Sequence, residues 1–382
     1  MSEQTRDFGK IRRLVVKVGS RVLVGDGMGV MDRRVFADLV QSIATVRANG
    51  IEVVLVSSGA VALGRRRLLG HQIGQGTSLA KLQAYAALGQ SALMQLYEHE
   101  FSMYNLLVGQ VLLTQGDIDD RRRFINARHT LRLLASDIGA VPIVNENDTV
   151  ANDELRLGDN DRLAGLVATL FEADLLLILS DVQGVFTSNP DVDPAARRLV
   201  QVDSADPLLD GLVWKSPTGP GRGGMATKLE AARMVSKIGT STIVAPGREP
   251  SIIDRILSGE PLGTMIVPPE SSIGARRLWL LHGVQPAGRL TVDDGAARAL
   301  KERGKSLLPS GVSAVEGTFG QGAAVEIVTS NGEVIGRGLV CYGSQDLVRI
   351  AGKQSAEIVQ ILGYKHMDAV VHRDDLALSE NR

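Results

Sequence analysis

The chain has 382 residues, with 42 Lys and Arg against 43 Asp and Glu, one Cys, and 44% apolar but only 4% aromatic residues. Balanced charge with ample Val, Leu, Ile and Ala excludes wholesale disorder, and the lone Cys341 excludes a disulfide framework or a cysteine zinc cluster, so Cys341 is read as a small core residue. Met1 to Lys10 is too polar for a secretory signal and no apolar run reaches the ~18–20 residues of a membrane span, so a cytoplasmic chain with no membrane contact is expected.

From about Leu14 to Pro250, short β-branched runs alternate with longer stretches whose apolar residues recur at helical spacing. This predicts an α/β fold, an open and mainly parallel sheet sandwiched by helices. Strands are expected at Leu14–Val18, Glu52–Ser57, Leu106–Leu112, Val141–Asn145, Leu175–Ser180 and Thr242–Ala245, nearly all apolar on both faces as buried parallel strands are. Asp32 is placed to cap a helix running to about Ala48, Ser78 another toward Phe101, and Met225 to Ile238 forms a third. After the stretch Pro261–Gly274 the long helical patterns largely stop and a small, mainly β domain begins. There, Asn331-Gly332 between Gly322–Ser330 and Glu333–Val340 predicts a hairpin closed by a type I′ turn, whose two central residues both take positive φ. The expected domains are therefore 1–270 and 276–382. The second holds 13 Lys and Arg against 12 Asp and Glu, too even a balance to suggest a nucleic-acid partner.

Four loops follow predicted strands, on the sheet edge where open α/β folds bind ligands. Lys17-Val18-Gly19-Ser20 sets a cation beside a residue whose missing side chain lets backbone amides approach a phosphate; Lys17 is either such a ligand or an edge charge. Ser57-Ser58-Gly59-Ala60 leads into a helix, and is either an anion site at its N-terminus or an ordinary turn and cap. Asn145-Glu146-Asn147-Asp148 and Gly158-Asp159-Asn160-Asp161 are dense in groups able to hold an α-amino group, donate to a carboxylate or orient lysines, though Asn and Asp also favour turns. Gly219 to Lys228 is a glycine-rich loop opening a helix with a lysine in its first turn, a placement that opposes the helix dipole unless an anion is near. It lacks the Walker A order, and no strand-linked dinucleotide fingerprint occurs. The six histidines show no paired metal spacing and no Gly-x-Ser-x-Gly elbow appears, so no dedicated metal ligand is assigned and serine-hydrolase chemistry is not expected.

Taken in order, Val15–Ser20, Val56–Ala60, Asn145–Asp148, Gly158–Asp161, Ser180–Thr187 and Gly223–Lys228 resemble the amino acid kinase family, and the C-terminal region resembles an appended PUA domain. The resemblance spans almost the whole chain. It implies transfer of the ATP γ-phosphoryl group to the side-chain carboxylate of L-glutamate, giving L-glutamyl 5-phosphate, the first step of proline biosynthesis. By the same resemblance Lys17 and Lys228 stabilise the transferring group while Asp161 organises them. Ser57, Asp148 and Asn160 match the family's glutamate-binding positions. Lys17, Ser180, Asp181 and the run Arg222, Gly223, Gly224, Met225, Ala226, Thr227 and Lys228 match its ATP contacts, with Mg²⁺ accompanying the nucleotide. Arg222 departs from the Thr that many relatives carry and adds charge, and Ser180 stands where Thr is also seen, keeping a hydroxyl. The resemblance further implies a dimer or tetramer, proline as feedback inhibitor, and handover of the acyl phosphate to glutamate-5-semialdehyde dehydrogenase. Competing readings are another acceptor (aspartate, acetylglutamate or a nucleoside monophosphate) on the same fold, or an RNA-binding protein, against which the C-terminal charge argues.

Overall fold

Each of the six apolar runs becomes a strand of one sheet. A computed structural model describes residues 6, 8, 11–24, 30–69, 78–150, 160–190, 192–212, 224–269 and 286–379. The chain divides into two compact units, Met1–Ile273 and Gly274–Arg382. In the first, β1 (Arg13–Val18), α1 (Ser20–Val24), α2 (Arg33–Ala48), β2 (Glu52–Val56), α3 (Ala60–Arg67) and α4 (Leu79–Ser102) come in succession. Then follow β3 (Val108–Leu113), α5 (Gln115–Asp119), α6 (Arg121–Arg132), β4 (Val141–Glu146), α7 (Asn160–Phe171), β5 (Leu175–Ser180), β6 (Gln201–Asp203), α8 (Met225–Ser236), β7 (Ser241–Pro246), α9 (Ile252–Leu257) and β8 (Thr264–Val267). The caps expected from sequence are present: Asp32 accepts from the Val35 N–H and Ser78 from the Lys81 N–H.

The sheet runs β3-β4-β2-β1-β5-β7-β8-β6 and is parallel except where β8 turns back along β7. The strands β6 and β8 were not expected. Both are short, and β8 lies between Gly263 and Pro268 inside the stretch whose Pro and Gly content suggests a boundary. The order reverses at β1: the chain builds β2, β4 and β3 on one side, then crosses to β5 and β7 on the other. Open sheets bind their ligands at such a switch point, beyond the C-terminal strand ends.

Alternation along the strands sorts side chains between two cores. Leu14, Val16 and Val18 of β1 and Leu175, Leu177 and Leu179 of β5 pack under α2, α4 and α9, whereas Val15, Leu176 and Ile178 pack under α7 and α8. Lys17 therefore continues the α7/α8 face, and so does Ser180. On β2 the pairing keeps the same faces: Val54 and Val56, opposite Val15 and Lys17, belong to the α7/α8 side and Leu55 to the α4 core, which sends Ser57 toward α4.

The second unit contains β9 (Gly288–Val292), α10 (Asp294–Arg303), β10 (Val312–Glu316), β11 (Ala324–Thr329), β12 (Val334–Val340), α11 (Ser344–Ile350), α12 (Ile358–Leu362) and β13 (Val371–Leu378). Its sheet order is β10-β9-β11-β12-β13, with Cys341 buried in its core. The hairpin β11–β12 forms as expected, but its turn does not. Gly332 takes φ 82° while Asn331 is not among the residues of positive φ, and the Gly332 N–H donates to the Thr329 carbonyl. With Thr329 N–H donating to the Glu333 carbonyl, the loop has three residues, and only its last position demands glycine, so it is not type I′. The ten-residue α10, capped by Asp293, was also not read from sequence, being short and flanked by strand-like runs.

Candidate active site

In-register parallel pairing brings three strand ends to one place. Lys17 of β1 stands opposite Val56 on β2 and Ile178 on β5, so Lys17, Ser57 and Ser180 lie on neighbouring strands at the same edge. Two helices begin above that edge: Asn160 and Asp161 open α7, and Met225 to Lys228 open α8. They pack closely, since a Cβ on Gly165 of α7 would lie 3.3 Å from the Ala231 Cα of α8.

The result is a buried charge cluster. Asp161 is fully buried and its carboxylate is bracketed by two lysines: Lys17 Nζ is paired with Oδ1, and Lys228 Nζ donates to Oδ2 at 2.8 Å. Lys17 and Lys228 are 4% and 5% exposed, so neither is a solvated surface charge. The Thr227 hydroxyl sits 3.0 Å from Asp161 Oδ2 and 2.9 Å from the Gly224 carbonyl. Burial pushes the Asp161 carboxyl upward, but the two lysines outweigh it and hold the group far below the ordinary carboxylate range. Two cations against one carboxylate leave an excess of one positive charge at the strand ends, where an anion would enter. The carboxylate on the first turn of α7 also suits that helix's dipole, while Lys228 on the first turn of α8 does not, and Asp161 offsets it.

Beside this cluster lies a chain of amides. Asn160 Nδ2 donates to the Ser57 carbonyl at 2.9 Å, to Ser58 Oγ at 2.7 Å and to Asn145 Oδ1 at 3.1 Å. Asn145, 3% exposed, accepts also from the Glu146 N–H and passes its own Nδ2 to Gln90 Oε1 at 2.9 Å. Ser57 is fully buried, and its hydroxyl is 2.8 Å from the Tyr97 hydroxyl of α4, as the strand phase requires. Burial raises the Tyr97 phenol against the lowering effect of that bond. Ser57 thus joins the amide chain through its main-chain carbonyl, which accepts from Asn160, rather than through its hydroxyl. Gly59, at φ 101°, turns the chain from β2 into α3, a conformation that strains any other residue.

Next to this chain a cleft of about 290 Å³ is lined by residues that include Gln90, Ser91, Glu146, Asn147, Asp148 and Thr149. Asp148 therefore stands in the cleft rather than against the lysines. On the other flank Ser180, 5% exposed, donates to Asp181 Oδ1 at 3.0 Å, and Arg21 pairs with Asp181 Oδ2 at 3.0 Å. Burial raises the Asp181 carboxyl, yet its bonds to Arg21 and Ser180 carry it below its ordinary value. Gly224, Met225, Ala226 and Thr227 open α8, whereas Arg222 and Gly223 lie outside the described residues. Among the described residues no group of three His, Cys, Asp or Glu side chains is arranged to hold a metal, and no helix is long and apolar enough to cross a membrane.

Sequence reasoning missed Tyr97 and Gln90. Both lie on the apolar stripe of α4 (Ala86, Gln90, Leu93, Tyr97, Phe101), and a glutamine interrupting such a stripe seven residues from a tyrosine was the available signal. Helix α4 is pressed against α3: a Cβ on Gly64 would fall 1.8 Å from the Tyr85 carbonyl oxygen, and one on Gly89 would fall 1.7 Å from that of Ala60. The glycines thus set the depth at which Gln90 and Tyr97 enter.

The site is thus an open α/β sheet with two lysines and a carboxylate over its switch point. Residues 12–246 match the amino acid kinase family and residues 288–362 match the PUA domain, and the chain belongs to the amino acid kinase family. It is 45% identical to the glutamate 5-kinase of Trichlorobacter lovleyi, over 97% of this chain and 97% of that one. Identity is 47% to the glutamate 5-kinase of Saccharophagus degradans, over 96% of this chain and 97% of the relative. For the glutamate 5-kinase of Thermus thermophilus it is 46%, over 97% and 98%.

Proposed function

We propose that this chain transfers the γ-phosphoryl group of ATP to the side-chain carboxylate of L-glutamate, forming L-glutamyl 5-phosphate at the head of proline biosynthesis. The observation that carries the reading is the buried Lys17–Asp161–Lys228 cluster at the strand ends, in a chain whose full-length relatives are named glutamate 5-kinase. Donor and acceptor are both anionic and charge spreads over the transferring oxygens, so the reaction needs positioning and fixed cations more than covalent chemistry. Lys17 and Lys228 serve as those cations, and Asp161 keeps them apart and aimed. The acceptor carboxylate, with an unperturbed pKa of ~4.3, is ionised at neutral pH, so no general base is required.

Glutamate lies toward Asp148, Asn160 and the Ser57 main chain; the nucleotide lies toward Ser180, Asp181 and the start of α8, and by the family resemblance Arg222 and Gly223 also contact it. Two ammonium groups, with the central carboxylate already spent on them, suit phosphate oxygens, so Mg²⁺ is read as the nucleotide's own companion and neutralises its phosphates when bound. A cytoplasmic dimer or tetramer, inhibition by free proline and delivery of the product to glutamate-5-semialdehyde dehydrogenase belong to the same proposal. The test is ATP- and Mg²⁺-dependent hydroxamate formation with glutamate, aspartate and N-acetylglutamate, hydroxylamine trapping the acyl phosphate. Preference for glutamate supports the reading; phosphorylation of a nucleoside monophosphate alone refutes the acceptor.

A further inference from the structure

The amide chain beside the lysines ends on a donor that meets no partner among the described residues. Its orientation is anchored twice by groups that cannot be reversed. The Ser57 carbonyl can only accept, so Asn160 must present its Nδ2; the Glu146 N–H can only donate, so Asn145 must present its Oδ1. Asn145 then has only Nδ2 to offer Gln90, and Gln90 must answer with Oε1. This leaves Gln90 Nε2, on a residue 9% exposed, buried at the wall of the cleft with no partner among the described residues. A buried donor left unpaired is costly, and natural structures seldom tolerate one without a use. The same cleft is lined by the acidic residues Glu146 and Asp148, side chains of a type that accepts from an ammonium group. An α-amino acid presents both an ammonium and a carboxylate, and its carboxylate needs a donor there.

We propose that Gln90 is a specificity-determining residue, whose Nε2 donates to the α-carboxylate of the amino acid acceptor. The amide chain Asn160–Asn145–Gln90 links that recognition to the first turn of α7, where Asp161 orders the lysines. The proposal rests on the phosphoryl-transfer reading above and adds the part of the acceptor that Gln90 reads.

The test compares L-glutamate with its α-amide, L-isoglutamine, which keeps the ammonium and the reacting side-chain carboxylate. Both are assayed by hydroxamate formation on the full chain, wild type and Gln90→Glu. The variant keeps an oxygen to accept from Asn145 and puts an acceptor in place of the Nε2 donor. The wild type should favour glutamate by roughly 10–100-fold in kcat/KM, the weight of a charge-assisted hydrogen bond. Gln90→Glu should raise KM for glutamate more than it lowers kcat and shift the glutamate-to-isoglutamine ratio at least ~10-fold toward the amide. A ratio unchanged within about twofold while glutamate still reacts overturns the role of Gln90 and leaves the kinase reading intact. If the wild type forms no hydroxamate from either compound, the kinase reading fails and this inference with it. Should Gln90→Glu not fold, Gln90→Met removes the donor without adding charge, and its ratio should fall toward one; a wild-type ratio there overturns the proposal equally.

Discussion

Replacing Asp161 by Asn removes one charge and little volume, and leaves two lysines of 4% and 5% exposure without their carboxylate. Removing one partner of a buried ion pair costs about 3–5 kcal/mol, because the remaining charge stays desolvated. A second route gives a similar figure: a lysine that escapes by losing its proton, from a reference pKa of ~10.4, costs about 4–5 kcal/mol at pH 7. Asp161→Asn should therefore lower the unfolding midpoint of the first unit by about 6–20 °C, at ~2–4 °C per kcal/mol. The sign of the pH dependence follows from the depressed carboxyl. Its stabilisation is complete above the unfolded pKa of ~3.9 and is lost as pH falls toward the folded value, a loss the Asn variant cannot show. Between pH 7 and pH 3 the gap between the two proteins should thus narrow by roughly 1 kcal/mol. Calorimetry of both full-length chains across that range checks the argument. An unchanged midpoint at pH 7, or a gap that holds constant to pH 3, refutes it.

Three further outcomes follow from the same geometry. Lys228→Ala should reduce turnover by about 10²–10³-fold while moving the glutamate KM much less, since it removes charge stabilisation from the transition state; unaltered turnover in the hydroxamate assay contradicts that role. Gly89→Ala should cost at least about 1–3 kcal/mol in urea denaturation, because the new methyl meets the Ala60 main chain rather than a side chain that can swing aside. Tyr97→Phe should cost about 1 kcal/mol, near the lower end for a lost buried bond, because the Ser57 hydroxyl still reaches the Ser58 carbonyl at 3.3 Å. A variant as stable as the wild type would show that the Ser57–Tyr97 bond contributes nothing.

The strands were legible because they are buried on both faces, so uninterrupted Val, Leu and Ile marked them without any help from periodicity. Shortness hid β6 and β8, whose three and four residues form no run, and α10, whose ten residues sit among strands. At the site, Lys17 and Lys228 were legible as cations beside glycines. Their meeting at Asp161 depends on the phase of β1, which places position 17 with Val15 under α7 and α8. Ser57 illustrates the reverse. Its motif resembles a binding loop, yet the phase of β2 turns its hydroxyl into the α4 core and leaves its carbonyl for the site. Gln90 carried no motif at all, because its place in the amide chain comes from a hydrogen bond to Asn145, 55 positions away.

Lys17 and Lys228 stand 211 positions apart, one on the first strand and the other on the last helix before β7. During synthesis, Asp161 therefore emerges after its first lysine and well before its second. Until α8 docks, the centre of the sheet holds an incomplete charge set, so the affinity of the amino-terminal half for its own later segment is partly electrostatic. The charge cluster is thus a late product of the chain: one ending before residue 228 holds the Lys17–Asp161 pair but lacks the second lysine that completes it.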